Sequence, residues 1–92
     1  MASQTFTLSA RCDRQAADAL LSDLRAGVTA GDVVIDGSAV SQFGQAMLQL
    51  LLSARRTAMA RGNSFTIIAS DAMQSTLAMV GAEHLLDQGA RP

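Results

Sequence analysis

The sequence predicts an α/β domain, in which three to four helices pack against a small mixed sheet of about four strands. Residues 33–35 are wholly apolar, which is typical of a buried central strand. Residues 65–69 form a second apolar strand, and a long apolar helix lies between the two runs. Because a helical crossover joins parallel strands, this βαβ unit should form the centre of the sheet.

All 92 residues are expected to form a single domain. Hydrophobic residues make up 49% of the chain and charged residues 16%, which indicates a globular rather than a disordered protein. The formal net charge is -1, and the arginines form no basic patch and are not interleaved with aromatic residues. Nucleic-acid binding is therefore not expected.

The compartment follows from three features of the sequence. No apolar run approaches the roughly 20 residues that a membrane span requires. The first residues lack the basic and apolar regions of a secretion signal. Cys12 is the only cysteine and cannot form an internal disulfide. A cytoplasmic protein without membrane insertion is the expectation.

The N-terminal part predicts a strand and a helix. Residues 5–8 alternate between polar and apolar, as in a strand with one buried face. Asp13 is suited to cap helix 1, because its carboxylate can accept hydrogen bonds from the first turn. Apolar residues within 17–24 then form one stripe. Gly27 is expected to end this helix in a left-handed conformation.

The next segment predicts the central strand and helix 2. A strand at 33–35 that is apolar throughout should be covered on both faces, or nearly so. The residues at 36–38, Asp-Gly-Ser, favour a turn that ends it. Val40 and Phe43 should anchor the following loop to the core. Helix 2 is expected to run from about position 44 to about position 61, with an unusually wide apolar arc.

The last part predicts a second strand and helix 3. Residues 65–69 should form the strand, and Ser70 or Asp71 should cap the helix. The expected core-facing residues of helix 3 are Met73, Leu77 and Val80. Gly81 should end it, and Leu85 and Leu86 should fold back onto the core.

No set of residues predicts catalysis, a metal site or a cofactor site. His84 is the only histidine, and its neighbour Glu83 does not face the same target on a helix. Cys12 precedes a helix start, where a thiol pKa can fall, but no partner group is in view and a small half-buried residue is the better interpretation. Glycine-rich phosphate motifs are absent from the sequence. We therefore expect that the protein is not an enzyme.

The turn from Ser38 to Gln45 differs in kind from these residues. It connects the C-terminal end of a strand to a helix N-terminus, where unpaired N–H groups and the helix dipole favour an acidic or phosphorylated group. Two interpretations stay open on this pattern alone. The turn is either a docking loop or a plain connection between a strand and a helix.

The order of elements resembles the STAS domain, the module of sulfate transporters and anti-sigma factor antagonists. The resemblance rests on the apolar strand ending in Asp36, on Val40 and Phe43, and on the run Ala46, Leu48-Gln49-Leu50-Leu51. Arg61-Gly62, the strand at 65–69 and the stretch 77–86 extend it. It covers residues 33–87 well and the first 30 residues loosely.

The departures from the family pattern concern its switch. In phospho-switched STAS domains, an Asp-Ser pair begins helix 2, and a partner kinase phosphorylates the serine. Here those positions are Gly44 and Gln45, and the family's glycine is Met47. Glutamine cannot accept a phosphoryl group, so we expect no phosphorylation switch at this position. Ser41 is the nearest alternative hydroxyl but does not match the family position.

The resemblance implies a protein-interaction module that binds through this loop and the start of helix 2. The expected partner-binding residues are Ser38, Ser41, Gln42, Gly44, Gln45 and Met47. Candidate partners are a kinase-like regulator of a signalling or chemotaxis pathway, an anti-sigma factor, and the ATPase of a lipid-transport ABC system. A different alternative is a STAS-type sensor that holds a small ligand near the helix 2 N-terminus.

Overall fold

A computed structural model describes residues 4–82 of the chain. The elements follow one another as β1 (Gln4–Thr7), β2 (Arg11–Cys12), α1 (Arg14–Ala30), β3 (Val33–Gly37), β4 (Gln42–Phe43), α2 (Gln45–Ala60), β5 (Phe65–Ala69) and α3 (Asp71–Met79). These helices and parallel strands confirm the α/β class. The predicted βαβ unit is confirmed as β3, α2 and β5, since β3 and β5 pair in parallel.

The described strands form two parallel sheets. One has the order β1-β3-β5, and the other is the two-stranded pair β2-β4. The sheet expected from the sequence was mixed and had β5 at its centre. Instead every pairing within residues 4–82 is parallel, because a helix separates each pair of neighbouring strands in the larger sheet, and β5 lies at the edge.

The core lies on one face of the larger sheet. Val33 and Ile35 in β3 are fully buried, and they pair in register with Phe65 and Ile67 of β5, which are also buried. Helices α1 and α2 pack against each other and supply much of the rest of the core, and α3 adds the buried Met73 and Leu77. Val34, between Val33 and Ile35 in the strand, is half-buried, so its face of the strand is covered in part.

Two predicted helix caps are confirmed. The carboxylate Oδ1 of Asp13 accepts a hydrogen bond from Ala16 N at 2.9 Å, at the start of α1. The hydroxyl of Ser70 accepts one from Met73 N at 3.2 Å, at the start of α3. Both helices therefore begin with a side-chain acceptor for their first turn.

The predicted end of α1 at Gly27 is wrong. The helix continues to Ala30, and Gly27 lies buried within it against the ring of Phe6. A Cβ at this position would come within 2.9 Å of that ring. The glycine therefore serves a close approach of strand β1 to the helix and not a left-handed cap.

The predicted burial of Val80 is also wrong. Helix α3 ends at Met79, and Val80 is 55% exposed. Gly81 follows with φ of 71°, a left-handed conformation that suits a helix end. Leu85 and Leu86 lie outside the described residues. Among residues 4–82, no helix combines the length and apolarity that crossing a membrane would require.

Candidate functional site

The candidate site is the segment of residues 38–47 that leads from β3 into α2, called the α2 corner below. It begins with a turn held by Asp36, whose Oδ1 accepts hydrogen bonds from Ser38 N at 3.0 Å and from Ser38 Oγ at 2.7 Å. These bonds lower the pKa of the Asp36 carboxyl, because they favour its charged form. Val40 N donates to Gly37 O at 3.0 Å and completes the turn.

The middle of the corner is fixed to the segment before α1. The carbonyl oxygen of Ala10 accepts hydrogen bonds from Ser41 N at 2.8 Å, Gln42 N at 3.0 Å and Ser41 Oγ at 3.2 Å. Strands β2 and β4 then pair in parallel. Val40 and Phe43 are 3% and 9% exposed, which confirms them as anchors of the loop. The β2-β4 pairing itself was not predicted.

Gly44 ends the corner at a position without room for a side chain. Its N–H donates to Cys12 O at 2.9 Å, and its own carbonyl accepts from Leu48 N at 3.1 Å as α2 begins. A Cβ at Gly44 would lie 2.9 Å from Cys12 O, a backbone atom that cannot move alone. The position that holds aspartate in phospho-switched STAS domains therefore excludes a side chain here.

The N-terminus of α2 differs from those of the other described helices. Gly44 caps it without a side-chain hydrogen bond, and no acidic residue lies in its first turn. The partial positive charge of the helix dipole is thus not offset by a carboxylate at this end. Gln45 is exposed at the first position of the helix, where its amide can both donate and accept.

The predicted partner-binding residues differ in their exposure to solvent. Ser38, Ser41, Gln42 and Gln45 are exposed, and Gly44 is half-buried. Met47 is only 2% exposed, so its expected role as an apolar surface contact is wrong.

Met47 is buried because the rotation of α2 about its axis turns this side chain towards the core. Met47, Leu51 and Ala54 are spaced by four and three residues, which puts them on one face of the helix. All three belong to the buried core. Met47 therefore holds the start of α2 against the core.

The Cys12 thiol behaves as a core group. Its side chain is 1% exposed, and its Sγ donates to Ser9 O at 3.3 Å. Burial raises the pKa of the thiol, and the neighbouring charge of Asp13 raises it further. The interpretation of Cys12 as a small structural residue agrees with this environment, in which the reactive thiolate is disfavoured.

Two other candidate residues, Glu83 and His84, lie outside the described residues. Within residues 4–82, no group of three His, Cys, Asp or Glu side chains is arranged to hold a metal ion.

A groove between α2 and α3 adjoins the corner and was not predicted. It has a volume of about 300 Å³ and is lined by Gln45, Leu48, Gln49, Leu52, Thr76, Val80 and Ala82. The wide apolar arc of helix 2 was the one sequence signal for it. That arc contains more apolar positions than the core uses, because Leu52 is only half-buried.

A parallel βαβ unit that presents a fixed corner before its helix defines a small α/β domain of the kind that the sequence predicted. The chain belongs to the STAS domain family, since the family described as "Mlab, STAS domain" matches residues 2–87, nearly its whole length. Comparison with curated proteins and with solved structures gave no significant match. STAS domains are usually protein-interaction or regulatory modules, generally without enzymatic activity.

Proposed function

We propose that this protein is a non-enzymatic bacterial regulatory module that binds a partner protein constitutively through the α2 corner. The observation that carries the proposal is the held geometry of the corner around Gly44 and Gln45. Hydrogen bonds to Ala10 O and Cys12 O fix the backbone on either side of Phe43. Because the loop is already ordered, binding loses little conformational entropy there.

The partner group best suited to this corner is a hydrogen-bond acceptor, such as a carboxylate or a main-chain carbonyl. The α2 N-terminus has no side-chain cap and no acid in its first turn. The exposed Gln45 amide stands beside it and can bond either a donor or an acceptor.

The chemistry of the corner argues against a phosphorylation switch. Gln45 has no hydroxyl, and Ser41, the nearest alternative, donates its hydroxyl hydrogen bond to Ala10 O. Ser38 Oγ donates to Asp36. Both hydroxyls thus support the loop, and a phosphoryl group on either one would disrupt the contacts that hold it.

The partner classes implied by the family are a kinase-like regulator in a signalling or chemotaxis pathway, an anti-sigma factor, and the ATPase of a lipid-transport ABC system. A corner without a phosphorylatable residue at the family position suits a permanently bound subunit. Gln45 therefore favours the second candidate function, an accessory subunit of an ABC ATPase.

The test uses purified candidate partners encoded beside the gene, with affinity measured by calorimetry. Gln45→Glu places a carboxylate where the acceptor group of the partner should bind, and the repulsion should weaken binding by at least about tenfold, equivalent to about 1.4 kcal/mol. Ala26→Glu is the control, since it adds the same group to an exposed position near the C-terminal end of α1.

Equal affinities for the wild type and Gln45→Glu would contradict the proposal. The small-ligand alternative makes a different prediction, because a sensor should show a ligand-dependent rise in Tm without any partner protein.

A further inference from the structure

We propose that the groove between α2 and α3, called the α2–α3 groove, receives an acidic amphipathic helix of the partner protein. The inference rests on the proposed function and names the chemistry of the partner segment. An apolar side chain of that helix fills the groove, and a carboxylate beyond it meets Arg55 and Arg56 of α2.

The floor of the groove is apolar and partly open. Leu52 is half-buried, Val80 is 55% exposed, and Met79 beside it is 81% exposed. No charged side chain lines the groove among the described residues, and its amide groups come from Gln45 and Gln49. The surface thus suits an apolar side chain flanked by hydrogen-bonding groups.

One face of α2 connects the groove to the α2 corner. Gln45, Leu48, Gln49 and Leu52 follow the i, i+3, i+4, i+7 spacing that keeps side chains on one face. Continued by one more turn, the same spacing brings Arg55 and Arg56 to the far end of the groove. At a rise of 1.5 Å per residue, Gln45 and Arg56 are about 16 Å apart along the helix.

Arg55 adds positive charge at the far end of the groove. Its Nε is buried and makes no hydrogen bond within residues 4–82. Because that Nε is enclosed by the protein, a carboxylate of the partner does not bond it directly, but the positive charge of the half-buried Arg55 favours a carboxylate at this end of the groove. Arg56, the next residue, is exposed and can bond the same carboxylate.

The positive charges at the two ends of the groove favour an acidic helix. The groove is apolar between two positive ends, namely the uncapped N-terminus of α2 and the Arg55–Arg56 pair. A basic helix would meet like charge at both ends. An amphipathic helix with acids about three turns apart and an apolar face between them matches the length and the charge of the surface.

The test uses two synthetic helical peptides and the full-length, isotopically labelled protein. One peptide carries leucines on a central face and glutamates about three turns apart. The other has lysines in place of the glutamates. The glutamate peptide should bind and shift the amide signals of Leu52, Thr76 and Val80, whereas the lysine peptide should not bind.

Substitutions then locate the acidic contact. Arg55→Gln combined with Arg56→Gln should weaken binding of the glutamate peptide by at least about tenfold. Arg56→Glu, at an exposed position, should do the same without touching the buried guanidinium. Arg25→Gln, which removes an equal charge from α1, should leave the affinity unchanged. A Tm equal to that of the wild type confirms that each variant is folded.

Three results would overturn the inference. The first is no binding of the glutamate peptide at about 1 mM. The second is equal binding of the two peptides, or of the wild type and the arginine variants. The third is nuclear Overhauser contact of residues 83–92 with Leu52 in the free protein, which would assign the groove to the chain itself.

The same measurements distinguish failure of the groove proposal from failure of the proposed function. If Gln45→Glu weakens binding of the partner protein but the arginine variants do not, the groove proposal alone is lost. If Gln45→Glu has no effect, the proposed function is lost, whatever the peptides do.

Discussion

Replacing Gly44 by alanine should destabilise the protein through one atomic contact. The new Cβ would lie 2.9 Å from Cys12 O, well inside an ordinary carbon–oxygen contact, and this oxygen already accepts the hydrogen bond from Gly44 N. Forcing such a group into a packed site raises the free energy of the folded state by about 1–3 kcal/mol. Alanine also has less conformational freedom than glycine in the unfolded chain, and this offsets about 0.4–1 kcal/mol of the destabilisation.

Taking the middle of each range, the expected net loss is about 1.3 kcal/mol, which for a domain of this size lowers Tm by about 5–10 °C. Thermal and urea unfolding followed by circular dichroism measure it. Gly31→Ala is the control, because a Cβ at Gly31 would meet no atom within 4 Å and the φ of 171° at this residue is an extended conformation. That variant should be as stable as the wild type or slightly more stable.

Gly44→Asp separates capping from packing. Aspartate is a better helix N-cap than glycine by a few tenths of a kcal/mol, but it carries the same Cβ. We therefore expect Gly44→Asp to be destabilised nearly as much as Gly44→Ala. If both variants melt at the wild-type temperature, then β2 yields to the added atom and the held geometry of the α2 corner is refuted.

Two further predictions concern ionisable groups. The lowered pKa of Asp36 stabilises the fold above the unfolded-state pKa of about 3.9, and this stabilisation is lost as pH falls through the folded pKa. The wild type should therefore lose its stability advantage over Asp36→Asn as the pH falls below the unfolded-state pKa. Urea midpoints measured over this range would show the loss, and a constant difference would contradict the assignment. Cys12 is buried with a raised pKa, so a thiol reagent should label it only as fast as the chain unfolds. Rapid labelling of the native protein at neutral pH would show that the thiol is accessible.

Local side-chain chemistry explains which parts of the fold could be predicted. The caps by Asp13 and Ser70 each depend on an acceptor three residues before a backbone N–H. The βαβ unit depends on long apolar runs, whose spacing is visible in one sequence. Such features are determined by neighbours along the chain.

Features that depend on distant residues could not be predicted in this way. Strands β2 and β4 have two residues each, too few to show any periodicity. The role of Gly27 depends on the ring of Phe6, which lies on another element. From the sequence alone, a glycine near the end of a helix is interpreted as a cap. Only the position of the Phe6 ring shows that Gly27 has another role.

The candidate site was predictable in position but not in detail. A connection from a parallel strand to a helix must emerge at the carboxyl edge of the sheet, which places residues 38–45 at the surface. The inward direction of Met47 depends on the rotational phase of α2, and the groove depends on where α3 packs. Neither can be inferred from the corner's own residues.

The β2-β4 pairing has a consequence for when the α2 corner exists during folding. The hydrogen bond from Ser41 Oγ to Ala10 O joins residues 31 positions apart, so it closes a long loop that contains all of α1 and β3. Closing such a loop is entropically unfavourable until the intervening elements are in place. The larger sheet has the same requirement, since it pairs Gln4 with Val33 and Val33 with Phe65. The corner is therefore absent from a chain in which only local helices have formed.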